Sequence, residues 1–380
     1  MNKFTDIEWI IDDLLEKALY AYPAERAEKI RKMADAVWNG PPDKDRISYI
    51  YSGTCPPRDM PELPKDATVW QAELVTQLQM ILDHSEWGDD FYPALNPGCS
   101  QITIPSYFGC KEVFASGSSK VGPIVNAAGE VYHLPEPGFI KGTAGFNMLE
   151  KMRYFRARTR GSLPLYITDI QGPFSVASQV WGIEDFLLAI YENPEEVHYL
   201  LRKCTEAVIQ YYRLMTDAAE GDLIHIHCMP LMWFPKEKGA AVSEDLLAVV
   251  SADAADEFIR PNLEHIAEEF GGVLVHSCGS INHMTGMLNR TKGLVGVNCA
   301  STETDIEALT DQLDQKLKLI SHNSPVCCKG LPLYNQLQHI ALCKKVFGSG
   351  RINGVCVVNP WNANPDPVMD AKAYRKMASF

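Results

Sequence analysis

The sequence lacks the features of several common protein classes. It has no apolar run of about 18 residues, so no segment is long enough to cross a membrane as a helix. It has no run of lysine and arginine, and its net charge is −13, so a nucleic-acid backbone is a poor candidate partner. Residues 1–11 mix acidic with apolar side chains and show no small-residue cleavage site, which argues against a signal peptide. We therefore expect a cytosolic (cytoplasmic) protein that contacts neither membranes nor nucleic acids.

Motifs for phosphate, dinucleotide and serine-nucleophile chemistry are also missing. The chain contains no glycine-rich phosphate loop, no dinucleotide fingerprint and no Gly-x-Ser-x-Gly elbow. Its 11 cysteines are odd in number and spread over 380 residues, unlike the dense pattern of a secreted disulfide scaffold. We expect free thiols, most of them small buried core residues.

The N-terminal part of the sequence has helical periodicity. Apolar residues recur at spacings of three and four over positions 6–20 and 24–38, and two prolines at 41–42 end the second stretch. We interpret residues 1–44 as a helical extension and residues 45–380 as the catalytic domain. Positions 96–141 are rich in glycine, proline and serine, which predicts a long excursion of loops and hairpins over one end of the fold.

The catalytic domain alternates short apolar segments with helical stretches. Strands this uniformly apolar predict a parallel sheet that is covered on both faces. About eight of them favour a closed (β/α)8 TIM barrel in the α/β class over an open doubly wound sheet. The predicted strands lie at positions 48–52, 91–95, 164–170, 223–227, 273–276, 294–298, 317–321 and 353–358.

Polar residues of metal-binding type follow successive predicted strands. In a TIM barrel the catalytic groups sit at the carboxyl ends of the strands, so these positions are the candidates for chemistry. A purely structural barrel would carry Ser, Gly, Asp and Thr there instead. The candidates are Asp169, Gln171, His225, His227, Cys228, His276, Cys278, Asn298, Cys299, His322, Asn323, Cys356 and Asn359.

The best single candidate for a metal site is His276-Ser277-Cys278. Residues two apart on a strand point to the same side, so one imidazole and one thiolate can hold one ion. Cys356 lies on the last predicted strand and would be a third ligand. Three protein ligands with an open position are typical of catalytic zinc. The alternative is a chance pair beside a core cysteine.

The other candidates each have more than one interpretation. Asp169 is either a pocket acid or the cap of the next helix. His225 and His227 are rival metal ligands, pocket residues or core histidines with satisfied hydrogen bonds. Trp233 either walls an apolar pocket or belongs to ordinary packing. The adjacent thiols at 327–328 are poor joint ligands, which favours an incidental or core position.

Two stretches carry a family resemblance. Residues 169–188, DIQGPFSVASQVWGIEDFLL, and 192–201, ENPEEVHYLL, resemble the uroporphyrinogen decarboxylase superfamily. Residues 271–279, GGVLVHSCG, resemble its zinc-dependent branch, which contains the cobalamin-dependent methyltransferases. The resemblance covers residues 45–380 and is clearest between 160 and 300.

The resemblance implies a function and a set of site residues. The motif of the branch is His-x-Cys followed by a cysteine near the chain end, which His276, Cys278 and Cys356 match as ligands of Zn2+. The implied reaction moves a methyl group between a small methylated substrate (a methoxy compound, a methylamine or a thiol) and a corrinoid (cobalamin). A corrinoid carrier protein would present the corrinoid, since the chain shows no Asp-x-His-x-x-Gly sequence. We expect Asp169 and His227 to be catalytic, and these residues to contact substrate: His225, Trp233, Asn298, His322 and Asn359.

The sequence departs from the family pattern in two places. It has no Arg-Gln-Ala-Gly-Arg-Tyr segment and no arginine cluster in its N-terminal half, which disfavours decarboxylation of a tetrapyrrole. Where relatives often carry a glutamate ligand, the chain has Asn298-Cys299-Ala300. Cys299, Glu303, water or substrate would then complete the metal site. Two other hypotheses stay open: a metal-free lyase of the superfamily and a noncatalytic barrel that binds a small ligand.

Overall fold

The computed structural model of the chain describes residues 6–51, 60–115, 118–135, 138–227, 230–323, 336–358 and 376. Within these ranges, none of the helices combines the length and the apolar character that a bilayer crossing requires. The helices are α1 (Ile7–Ala21), α2 (Ala24–Asn39), α3 (Val69–Trp87), α4 (Ala144–Arg158), α5 (Pro173–Trp181), α6 (Ile183–Glu192), α7 (Pro194–Ala218), α8 (Ala252–Ala254), α9 (Arg260–Phe270), α10 (Thr285–Arg290), α11 (Ile306–Gln312) and α12 (Gln336–Phe347).

Helices α1 and α2 occupy the region where the sequence predicts a helical extension. The carboxylate of Asp6 caps α1 by accepting a hydrogen bond from the backbone N–H of Glu8 at 3.0 Å. Helix α2 ends at Asn39, directly before Gly40 and the two prolines. A boundary at residue 44 between two domains stays a prediction.

A parallel sheet forms the centre of the molecule. Six strands are hydrogen-bonded in the order β1-β10-β9-β8-β7-β6. Strands β2 and β3 form a separate antiparallel hairpin in the predicted excursion. The strands are β1 (Ile47–Tyr51), β2 (Lys111–Ala115), β3 (Ser118–Gly122), β4 (Leu165–Tyr166), β5 (Leu223–Ile224), β6 (Ala240–Ser243), β7 (Val273–Ser277), β8 (Leu294–Ala300), β9 (Lys318–His322) and β10 (Gly354–Val358).

Two extended segments lie between the two ends of the sheet and contact both of them. Gln171 pairs in parallel with Ser243 at the end of β6, and the same segment pairs Leu165 with Leu95. The backbone N–H of Asp90 then donates to the carbonyl oxygen of Tyr49 in β1 at 2.9 Å. The segments 90–95 and 165–171 thus connect the two ends of the six-stranded sheet, and β5 lies beside the second segment, which agrees with the predicted TIM barrel.

The predicted strand over 223–227 is shorter than expected. The segment supplies β5, Leu223–Ile224, which pairs in parallel with β4, and a further strand that the sequence does not predict, β6, pairs with β7. Strand β6 has only four residues, Ala-Ala-Val-Ser, which are too few to show the period of a strand. Gly239, the residue before β6, packs closely against the backbone that leads into β7. A Cβ built on Gly239 would lie 1.9 Å from the carbonyl oxygen of Gly272, so only glycine fits there.

The helical spacing of apolar residues also predicts one helix over 243–270, which the structure interrupts. It begins as α8, passes through a π-helical turn at Ala255–Ile259 and continues as α9. Pro261 stands in the first turn of α9, where a residue without a backbone N–H is tolerated. The helix itself starts only at Ala252, and Asp245 begins a short 3-10 helix, Asp245–Ala248, that follows β6.

Candidate active site

Polar side chains converge at the carboxyl ends of strands β6 to β9. The ladder pairs Ser243 with His276 and His276 with Asn298, so the three strands end at one level. Asp245 and Cys278 follow two of these ends. All the residues of this group are on the catalytic edge that the TIM barrel fold predicts.

His276, Cys278 and Asp245 form a compact group of possible metal ligands, called here the mouth cluster. His276 Nε2 lies 3.4 Å from Cys278 Sγ and 3.8 Å from Asp245 Oδ1. One ligand atom from each residue lies within 4.8 Å of the other two. His276 is buried, whereas Cys278 is exposed, so the cluster opens to solvent on its thiol side.

Asn298 fixes the orientation of the His276 ring. Its Nδ2 donates to the carbonyl oxygen of Ile320 at 3.1 Å, which leaves Oδ1 as the atom that faces His276. That oxygen lies 2.6 Å from His276 Nδ1 and accepts its proton. The lone pair of His276 is therefore on Nε2, the atom that faces Cys278 and Asp245. Such a partner behind the ring is the usual companion of a metal-binding histidine.

The electrostatic environment of the mouth cluster fits a cation of the zinc class. Burial and the neighbouring His227 lower the pKa of His276 to about 4, so its imidazole is neutral at physiological pH, as a metal ligand must be. Burial, with the charges of Asp245 and Glu303, raises the pKa of Cys278 to about 12. A bound cation would reverse that shift and stabilise the thiolate. One nitrogen, one sulfur and one carboxylate are all ligand atoms that zinc accepts.

Asp169 and His227 stand against the mouth cluster as a pair. Asp169 Oδ1 lies 3.4 Å from His227 Nε2, and Gln171 donates to Asp169 Oδ2 at 3.0 Å. The rings of His227 and His276 stack with centroids 4.0 Å apart and an angle of 10°. Burial opposes ionisation of Asp169, yet the hydrogen bond and charge of His227, with His276 and Gln171, lower its pKa. The ring of His227 therefore lies between the ionised carboxylate of Asp169 and His276, the possible metal ligand.

His322 extends the same row of side chains. Its Nδ1 accepts from Asn298 Nδ2 at 3.2 Å, and its ring lies 5.6 Å from that of His276. Burial and the nearby His276 hold the pKa of His322 well below its usual range, so this ring is neutral. The structure thus brings together five residues that the sequence indicates, namely Asp169, His227, His276, Cys278 and Asn298, with His322 beside them.

Two predicted substrate contacts are placed elsewhere. His225 Nδ1 bonds to the carbonyl oxygen of Gly239 at 3.0 Å, and its ring contacts Tyr212 and Phe270. These are the contacts of a core histidine, one of the alternatives that the sequence leaves open. Trp233 donates from Nε1 to Asp35 of α2 at 2.9 Å and packs on Tyr92. Asn359, Cys228 and the thiols at 327–328 are outside the described residues.

Cys356 is not brought to His276 and Cys278. The ladder aligns Cys356 with Ser321, Ser321 with Cys299 and Cys299 with Ser277, the residue between the two mouth ligands. Alternate residues of a strand face opposite sides, so Cys356 points away from the His276 side. Its sulfur instead lies within 4.8 Å of ligand atoms of His339 and Cys343 in α12.

Asp245 and Glu303 were missed or left open by the sequence. Asp245 accepts from the backbone N–H of Cys278 at 2.8 Å, and Glu303 accepts a short hydrogen bond from the N–H of Gly279. The available signal was the acidic pair Glu244-Asp245 directly after a short strand. Because β6 is too short to be predicted as a strand, the sequence does not mark its carboxyl end as a candidate position. Cys299 shares the face of Ser277 and is buried.

Comparison with known proteins gives a family, a curated relative and a solved structure. Residues 99–321, more than half of the chain, match the sequence profile of the family described as Uroporphyrinogen decarboxylase (URO-D). The methylated-thiol–coenzyme M methyltransferase of Methanosarcina mazei is 27% identical over 150 residues, which are 39% of this chain and 35% of that protein. The match thus spans about a third of that relative's length.

A solved structure described as a methyltransferase from Methanosarcina mazei superposes with a TM-score of 0.62. The superposition covers 92% of this chain and 98% of that chain, at 16% sequence identity. At this identity the likeness concerns the fold, and it extends over nearly the whole of both chains.

Proposed function

We propose that this chain, which belongs to the uroporphyrinogen decarboxylase (URO-D) family, is a zinc-dependent methyltransferase acting between a small methylated compound or thiol and a corrinoid. The observation that carries the proposal is the mouth cluster: a neutral imidazole nitrogen, an exposed thiol and a carboxylate together at the catalytic edge of the barrel. The printed names of the curated relative and of the solved structure, both methyltransferases, support the same class of reaction.

The residues that would hold zinc are His276, Cys278 and Asp245. Three protein ligands leave a coordination position for substrate, which is the pattern of catalytic zinc. One thiolate and one carboxylate would balance the two positive charges of the ion. In this ligand set Asp245 replaces Cys356, the third ligand that the family resemblance implies. When bound, zinc supplies Lewis acidity, which lowers the pKa of a coordinated thiol or polarises a coordinated oxygen.

The other side chains act on orientation and on protons. Asn298 holds the His276 ring by its Nδ1 proton, so that Nε2 stays directed at the ion site. Asp169, ionised and 3.4 Å from His227 Nε2, holds a proton on that nitrogen or accepts one through it. This pair would orient the methyl donor or carry away the proton of a thiol substrate. His322 is a neutral polar side chain beside the same space.

The partner that we propose is a carrier protein that presents the corrinoid. The corrinoid would supply the cobalt that gives or receives the methyl group. The mouth cluster must therefore be accessible to a corrinoid that approaches from outside the barrel. The exposed thiol of Cys278 satisfies that requirement, since the open side of the cluster is the side of the sulfur.

The test is a corrinoid assay on purified, zinc-loaded protein. Reduced Co(I) cobalamin is mixed with a panel of methylated thiols, methylamines and methoxy compounds, and formation of methylcobalamin is followed by absorbance. We expect transfer with the parent protein and its loss in Cys278→Ser and His276→Ala. Cys204→Ser, a buried cysteine of α7 away from the cluster, is the matched control.

Two outcomes would contradict the proposal. Undiminished transfer in Cys278→Ser would remove the metal ligand from the mechanism. Turnover of a carboxylic acid by the zinc-free protein without corrinoid would favour a metal-free lyase of the same family.

A further inference from the structure

A second group of nitrogen and sulfur ligands lies outside the active site. It consists of His339 and Cys343 of α12 and Cys356 of β10, called here the outer cluster. One ligand atom from each lies within 4.8 Å of the others. The mechanism uses none of these side chains, and the sequence had placed Cys356 elsewhere. The three residues are 0%, 1% and 2% exposed, so the group is sealed from solvent.

The outer cluster follows directly from the spacing of its residues. His339 and Cys343 are four apart on a helix, so their side chains lie on one face, a spacing suited to shared ligation. Val355 and Val357 of β10 align with Ile320 and His322 on the barrel side of the sheet, which leaves Cys356 on the side of α12. Helix and strand thus present their ligands to each other.

The hydrogen bonds of His339 direct one ring nitrogen into the group. Ser301 Oγ donates to the carbonyl oxygen of His322 at 3.4 Å and can accept the proton of His339 Nδ1 at 2.7 Å. The lone pair then lies on Nε2. Cys343 Sγ lies beside the ring, 3.7 Å from Nε2 and 3.8 Å from Nδ1, so the hydrogen bond to Ser301 decides which nitrogen is available as a ligand. This is the same arrangement, a ring held from behind by an oxygen, that Asn298 gives to His276.

The charge balance allows such a group to hold a divalent ion even though it is buried. Two thiolates and one neutral imidazole around a 2+ ion carry no net charge, which avoids the large free-energy cost of burying an unpaired charge. Binding releases the two thiol protons to solvent. Thiolate and imidazole ligands select zinc-class ions over calcium or magnesium, which prefer oxygen.

We propose that His339, Cys343 and Cys356 bind a second, structural zinc-class ion that fixes α12 against β10. The inference is independent of the methyltransferase assignment, because it rests on side chains on the outer face of the barrel. The ion would not contact substrate, since the cluster is closed to solvent. Its consequence is a barrel with two metal sites of three protein ligands each, one open to solvent and one sealed from it.

The first experiment is metal analysis of purified protein and variants. We expect two equivalents of zinc in the parent, loss of one in Cys343→Ser and loss of the other in Cys278→Ser. Cys204→Ser, equally buried on a helix, should keep both. If Cys343→Ser keeps all the zinc of the parent, the proposal is overturned. It is also overturned if Cys356→Ser and Cys278→Ser lose one and the same ion.

A second measurement needs no variant, in case Cys343→Ser does not fold. Crystals of the parent protein give an anomalous difference map at the zinc edge. A peak bounded by His339 Nε2 and the two sulfurs supports the outer site, and its absence in zinc-replete crystals overturns it. Failure of the methyltransferase proposal would show separately, as missing methyl transfer or a missing peak at His276.

Discussion

The mouth cluster and the outer cluster use similar ligands in opposite settings. Cys278 is exposed and shares its cluster with a carboxylate, whereas Cys343 and Cys356 are buried and share theirs with each other. Each set can neutralise a 2+ ion, so charge does not separate them. Access does: each set has three protein ligands, but the first opens to solvent and the second is buried. This difference in access is the reason that we propose a catalytic ion for the first set and a structural ion for the second.

Among these substitutions, Cys278→Ser in the mouth cluster should have the largest effect, and that effect is on the rate of methyl transfer. Loss of the thiolate removes a ligand and the Lewis acidity that depends on it, so we expect methyl transfer to fall on the order of 10³-fold. The rate of methylcobalamin formation checks this, with Cys204→Ser as control. A fall of less than tenfold would mean that the mouth cluster is not the catalytic centre.

Cys343→Ser should act on stability. An ion held at about 100 times its dissociation constant stabilises the folded state by about 3 kcal/mol, and the variant would forfeit this. Urea unfolding with and without a chelator measures it. The chelator should destabilise the parent more than the variant. If the chelator destabilises the parent and Cys343→Ser equally, the outer cluster does not hold a stabilising ion.

Asp169→Asn should lower methyl transfer while the metal stays bound. The amide cannot hold a proton at His227 Nε2 as the carboxylate does, so we expect a loss of about 10²-fold in the rate. Parallel metal analysis separates this effect from ligand loss. Loss of zinc in this variant would instead make Asp169 a part of the metal site.

Asn298→Ala should have the mildest effect. It leaves the His276 ring without its hydrogen-bond partner, and loss of such a partner costs roughly 10–100-fold in metal affinity. Competition with a chromogenic chelator measures the affinity of the mouth site. The matched comparison is Ser301→Ala, which removes the corresponding oxygen behind His339. Unchanged affinity in Asn298→Ala would show that the ring is positioned by packing alone.

The sequence alone predicted the barrel fold and the proximity of the His276 and Cys278 side chains. Both depend on local signals: apolar segments at regular spacing, and two ligand residues two positions apart at one strand end. The stacking of His227 on His276 and the pairing with Asp169 follow from the same rule, because strand ends meet at one edge.

The side of the sheet that Cys356 faces could not be predicted. All five residues of β10 are buried, since one face packs into the barrel and the other under helices. An apolar pattern without alternation does not fix which residues point inward, and a shift of one position reverses every side chain. Asp245 was missed for another reason, because the four-residue strand before it has too few residues to show any period.

The most direct test of the central claim is reversible metal removal. Purified protein is assayed for methyl transfer to Co(I) cobalamin before chelation, after chelation and after zinc is restored. Transfer should stop on chelation and return with zinc in the parent, but not in Cys278→Ser. Transfer that continues at the same rate in the metal-free parent would contradict the account.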